Sequence, residues 1–158
     1  MVDQIKTLVC VDLEETIIDN IWEGNLLPAN IHKIKQIIKQ EAPDKIETFS
    51  WALIDQPDFE MWVTVQQEIS FAGLFIDTQE FKVRSLQMEF LKNKFKTHKL
   101  PHEDSALFLS EFCTFCQKEL VFEWWALHQP FTNFTLIDDM VQDKTVICQG
   151  KTIKFIKI

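Results

Sequence analysis

The chain has 158 residues, 46% of them apolar, with 16 basic and 24 acidic side chains and a net charge of −8. That length and apolar share suit one folded domain with its own core, and three Gly and five Pro are too few for a low-complexity chain. The acidic balance argues against non-specific nucleic-acid binding, which needs a basic surface.

In chain order, residues 6–12 read as a first strand, because Val9-Cys10-Val11 is a short apolar run that stops at Asp12-Leu13-Glu14-Glu15. Residues 28–41 read as a helix. Pro28 suits a first turn, and Ile31, Ile34, Ile37 and Ile38 recur at helical spacing. Residues 46–54 read as the second strand, and Gln56 to about Phe71 as a helix with Phe59, Trp62, Val63, Gln66 and Ile69 near one face. Asp55 or Asp58 is expected to cap that helix, and Gly73 to stop it. Residues 81–86 read as a short strand, followed by a polar helix to about Lys96 and a loop around Pro101. Residues 104–128 read as helical, with Leu107, Leu109, Phe112, Cys116, Leu120, Trp124 and Leu127 on the apolar side. Residues 134–138 form the next expected strand, followed by short strands at 145–148 and 152–157 around a turn at Gly150.

This alternation of strands and helices predicts an α/β fold with a parallel sheet and helices on both faces, in a single domain spanning 1–158. No segment is apolar enough for a bilayer span, and Met1-Val2-Asp3-Gln4 does not open a signal peptide, so a cytoplasmic protein is expected. Cys113 and Cys116 form one CxxC without a second pair or a paired-His motif, and read as buried core residues on a helix. His32, His98, His102 and His128 lack metal spacing, and Lys92, Lys94, Lys96 and Lys99 read as a solvated helix face.

The second acidic cluster follows another apolar strand, Thr135-Leu136-Ile137-Asp138-Asp139. Ligand sites in open α/β sheets lie at the carboxyl ends of the strands. If the two strands are neighbours, Asp12, Glu14, Asp138 and Asp139 converge, and such a group stays ionised at low energetic cost only around a cation.

Asp12-Leu13-Glu14-Glu15-Thr16, Ser50 in Phe49-Ser50-Trp51, Lys118 and Leu136-Ile137-Asp138-Asp139 stand in the order of four family signals, and the stretch from Leu26-Leu27-Pro28 to Ile38 looks like the helix that follows the first. On these residues the chain resembles the haloacid dehalogenase superfamily. The resemblance implies a three-layer, Rossmann-like domain and a Mg²⁺-dependent phosphohydrolase acting on a phosphomonoester through an aspartyl-phosphate. It implies Asp12 as nucleophile, Glu14 as general acid and base, Ser50 as phosphoryl hydrogen-bond donor and a lysine as charge-neutralising group, for which Lys118 is the candidate and Lys92, Lys94, Lys96 and Lys99 compete. It also implies a metal held by Asp12, the backbone carbonyl of Glu14, and Asp138 or Asp139. The family's phosphatases carry Asp where this chain has Glu14, so turnover is expected to be slowed, altered or lost. The spacing between signals leaves no room for a large cap, which opens the site to a phosphorylated small molecule or a phosphorylated polymer end.

Two rival readings stand beside it. Asp12-x-Glu14 also resembles the opening signal of DEDD-type metal-dependent exonucleases, although the helix at 28–41 and the lack of Tyr fit that family poorly. The other is a non-catalytic binding protein that kept the fold.

Overall fold

The computed structural model describes residues 6–79 and 118–158, together with Val83, Ser85, Leu86, Glu89 and Phe90. The fold is mixed α/β, built on a five-stranded, mostly parallel sheet. The strands are β1 (Thr7–Val11), β2 (Lys45–Thr48), β3 (Asn133–Asp138), β4 (Lys144–Cys148) and β5 (Lys151–Lys157), in the spatial order β2-β1-β3-β5-β4. β1 pairs in parallel with β2 and β3, and β3 with β5. Only β4 runs antiparallel, against β5. The two short strands expected around Gly150 form this edge, where two residues of positive φ, Gln149 (φ 49°) and Gly150 (φ 76°), make a tight hairpin turn. Such a turn joins antiparallel neighbours, whereas a parallel pair needs a long crossover.

β1 alternates between two cores. Leu8 and Cys10 join one cluster with Val121, Phe122 and Trp125. Val9 and Val11 join the other with Ile31, Ile34, Trp62, Val65 and Ile69. A strand buried on both sides explains why its sequence is a continuous apolar run instead of an alternating one. In the first cluster, Phe122 meets Phe49 edge-to-face at 5.0 Å and also packs on Trp125, Phe134 and Phe155.

Helix α1 (Pro28–Glu41) starts on Pro28 and ends at Ala42, a left-handed residue whose N–H bonds Ile38. Helix α2 (Gln56–Phe71) opens with a reciprocal cap. Asp55 accepts from the Asp58 N–H, and Asp58 accepts from the Asp55 N–H. Both expected cap candidates thus take part, and Gly73 (φ 82°) follows as the stop. Val63, expected inside, is 51% exposed, while Val65 is buried. Trp62 and Ile69 fix the face, and Val65 lies within it at i+3 from Trp62.

Helix α3 is described over Lys118–Leu127, and its buried face is Val121, Phe122, Trp125 and Ala126. Leu120, expected on that face, is 37% exposed. Strand β2 ends at Thr48, six residues short of the expected Ile54. The cause is local: the Ala52 N–H turns back to Ser50 Oγ, and the Asp55 cap begins the next helix. The short strand expected at 81–86 is also corrected. Val83, Ser85 and Leu86 are helical. Val83, Leu86 and Phe90 lie at helical spacing against the aromatic core. The whole Lys run, His98, His102, Cys113, Cys116 and the start of the helix expected at 104–128 lie outside the described residues. Cys10 is buried, and burial, then the nearby Glu47 charge, push its thiol well above the ordinary value, so it is an inert core residue.

No helix among the described residues is long and apolar enough to cross a membrane.

Candidate functional site

The register places Val11 opposite Ile137, so the residues that follow each strand's apolar run, Asp12 and Asp138, come side by side at the carboxyl ends of β1 and β3. Asp12, Asp138 and Asp139 present carboxylate oxygens that all lie within 4.8 Å of one another, the one such group among the described residues. Two segments far apart in sequence thus make one acidic centre.

Lys118, on the first described turn of α3, enters this centre. Its Nζ lies 2.9 Å from Asp12 Oδ1 and also pairs with Asp138 Oδ2. The lysine stem passes the rings of Trp51 and Phe49, at 5.6 and 5.9 Å from the ammonium. Burial pulls the Lys118 ammonium toward its neutral form, but Asp12 and Asp138 outweigh it and the pKa is raised.

The two neighbouring aspartates are in different settings. Asp138 is fully buried; its Oδ1 accepts the Met140 N–H at 2.7 Å and its Oδ2 faces Lys118. Asp139 instead fronts a cleft of about 830 Å³. Burial, then the charges of Asp12 and Asp138, raise the Asp139 pKa to about 7. The cleft is also lined by Asp12, Glu14, Glu15, Asp19, Asn20, Ser50, Trp51, Lys118, Glu119, Met140 and Lys144.

Thr16, absent from the candidates read off the sequence, stands between the two acidic segments. Its Oγ1 lies 3.3 Å from Asp12 Oδ2 and 3.4 Å from Asp139 Oδ1. The i to i+4 spacing from Asp12 was the available signal; the tight loop that exploits it, with the Thr16, Ile17 and Ile18 N–H groups all bonding the Leu13 carbonyl, was not readable beforehand.

Ser50 is buried beside the cleft, and its Oγ accepts the Ala52 N–H at 3.1 Å. Its own hydroxyl proton remains available to donate. Glu14 lies on the cleft wall but apart from the aspartate group, because its Oε2 accepts the Ile21 N–H at 2.9 Å. At the opposite rim Glu119 pairs with Lys144 at 2.5 Å.

Comparison of the chain with protein-family models, with curated proteins and with solved structures finds no match.

The donor set fits a hard divalent cation. Three carboxylates against one ammonium leave two negative charges uncompensated in a partly buried place, and oxygen ligands are what Mg²⁺ takes. Burial, together with the charges of Asp12 and Asp138 that Lys118 does not fully balance, is why Asp139 holds its proton so high.

Proposed function

We propose that the protein is a Mg²⁺-dependent phosphoryl-transfer protein of haloacid dehalogenase-like type, with Asp12 as its nucleophile. The observation that carries this reading is the Asp12–Lys118–Asp138 arrangement beside Asp139, at the carboxyl edge of neighbouring parallel strands. The two core clusters on opposite sides of β1 support the three-layer, Rossmann-like reading of the fold.

In this reading Asp12 and Asp139 hold the metal, while Asp138 anchors Lys118 from below, since Asp138 is closed off from the cleft. The cation supplies charge that lets an anionic carboxylate approach an anionic phosphoryl group. Thr16 orients Asp12 and Asp139 together. Asp12 attacks phosphorus through a carboxylate oxygen, the bond to the leaving oxygen breaks, and an aspartyl-phosphate forms. Lys118 neutralises charge developing near Asp12, and Ser50 donates its hydroxyl to a phosphoryl oxygen. The substrate is a phosphorylated small molecule or polymer end reaching the open cleft.

A specific observation favours a second reading, a non-catalytic site that binds phosphoryl groups without turning them over. Glu14, which the resemblance implies as general acid and base, accepts the N–H of Ile21 in its own loop. The exonuclease alternative draws no such support, because β1 has parallel neighbours on both sides.

The decisive experiment is beryllofluoride uptake followed by ¹⁹F NMR. Wild-type protein with Mg²⁺ is expected to bind it, and Asp12→Asn is expected to lose binding. Wild-type protein that takes up none with Mg²⁺ present refutes the nucleophile assignment.

A further inference from the structure

We propose that this site accepts phosphoryl groups from donors whose leaving group departs without a proton, acyl phosphates above all, because Glu14 is a latch for its own loop and not a proton-transfer group. The inference rests on the function proposed above and specifies its substrate class.

The latch is visible in the loop between β1 and α1. The Glu15 N–H bonds the Ile18 carbonyl at 2.7 Å, the Asp19 N–H bonds Asn25, and the Leu27 N–H bonds Ile17. The turn that starts at Ile21 is held by Asn20, which accepts from the Trp22, Glu23 and Gly24 N–H groups, and by the Ile21 N–H bond to Glu14 Oε2 at 2.9 Å. Ile21 is itself buried in the core. An unpaired N–H there is expensive. Aspartate at position 14 would end about 1.5 Å short, one carbon–carbon bond, and beyond hydrogen-bonding range. The reach to Ile21 is thus a physical reason for glutamate here.

Four other carboxylates on the cleft wall are engaged within the protein. Asp12 is held by Lys118 and Thr16. Asp139 accepts from the Thr16 hydroxyl. Asp19 accepts from the Asn20 and Asn25 N–H groups and from the Asn25 side chain. Glu119 accepts from the Gln142 N–H and pairs with Lys144. Asp12, Asp19, Asp139 and Glu119 are thus each engaged by a neighbour within the protein.

The chemistry follows from the leaving group. An alkyl phosphomonoester expels an alkoxide, which needs a proton from a positioned acid. That help contributes about 10²–10⁴-fold in rate. An acyl phosphate expels a carboxylate, whose conjugate acid has a pKa of about 4, so it leaves as the anion at neutral pH. In the step proposed, an Asp12 oxygen forms the new bond to phosphorus. The bond from phosphorus to the acyl oxygen breaks, and the departing carboxylate keeps the electron pair. Asp12 ends as a mixed anhydride with phosphate. Without a base aimed at water, that adduct is long-lived.

The test uses the full chain with Mg²⁺ and two donors, acetyl phosphate and glycerol phosphate, followed by intact mass and phosphate release. Wild-type protein is expected to gain one phosphoryl group on Asp12 from acetyl phosphate and to release no phosphate from glycerol phosphate. Glu14→Gln keeps an acceptor oxygen for Ile21, so adduct formation and decay are expected within about twofold of wild type. Glu14→Ala loses a charged hydrogen bond, and exchange of the Ile21 amide is expected to rise by about tenfold or more. Glycerol phosphate turnover that Glu14→Gln lowers by about a hundredfold, with Ile21 exchange unchanged, overturns the inference and leaves the aspartyl-phosphate reading standing. Absence of an adduct from acetyl phosphate, together with no beryllofluoride uptake, instead defeats that underlying reading. The wild-type donor profile decides the matter even if a Glu14 variant fails to fold.

Discussion

Replacing Lys118 with Met is expected to destabilise the metal-free protein by about 3–5 kcal/mol at neutral pH, the usual loss when one partner of a buried ion pair is removed. Methionine fills most of the volume of the lysine stem beside Trp51 and Phe49, so packing changes little and the electrostatic loss dominates. What remains is two adjacent carboxylates, Asp12 at 6% and Asp138 at 0% exposure, with no cation between them. For a chain of this length the melting temperature is expected to fall by roughly 10 °C. The pH dependence carries the argument further. Burial already raises the Asp138 pKa and Lys118 holds it down, so without Lys118 the folded variant holds a proton there that the unfolded chain has already released above about pH 4. The penalty therefore grows as pH rises from about 4 and shrinks as it falls back. In wild type, Lys118 has a raised pKa, so its contribution is fully present below the unfolded value of 10.5 and is lost only as pH rises through the folded one. The assay is urea unfolding of both proteins in chelator at pH 5 and pH 8. A deficit below about 1 kcal/mol at pH 8, or an equal deficit at both pH values, refutes the placement of Lys118 between two charged aspartates.

Other outcomes follow from the same geometry. Asp139, raised to about 7 by burial and then by Asp12 and Asp138, keeps a proton that the unfolded chain loses near pH 4, so the metal-free protein is expected to lose stability as pH rises from about 4 to about 7. Mg²⁺ is expected to reverse this and to release a proton on binding, which calorimetry in two buffers of different ionisation enthalpy measures. Thr16→Val removes the hydroxyl between Asp12 and Asp139 and is expected to lower Mg²⁺ affinity by about tenfold, read by titration calorimetry. An unchanged affinity would remove Thr16 from the metal's supporting shell. Phe122→Ala empties the centre of the aromatic cluster and is expected to cost about 3–5 kcal/mol in urea unfolding, with Mg²⁺ affinity retained in whatever fraction stays folded.

The sequence by itself determined the elements whose pattern is local. Val9-Cys10-Val11 and Leu136-Ile137 are apolar runs that only a strand buried on both sides explains, and the isoleucines of 28–41 mark one helical face. It also named Asp12, Asp138, Asp139 and Lys118, which the fold brings within contact distance. Tertiary structure decided what depends on partners distant in the chain. The short apolar stretch around Val83 and Leu86 suits strand or helix alike, and packing on the aromatic core selects the helix. The different settings of Asp138 and Asp139 come from which carboxylate α3 covers with Lys118. The fate of Glu14 was equally hidden, because its partner is a backbone N–H seven positions on. A side-chain pattern reports burial and periodicity; it does not report where a carboxylate finds its hydrogen bond, and that is a property of the closed loop alone.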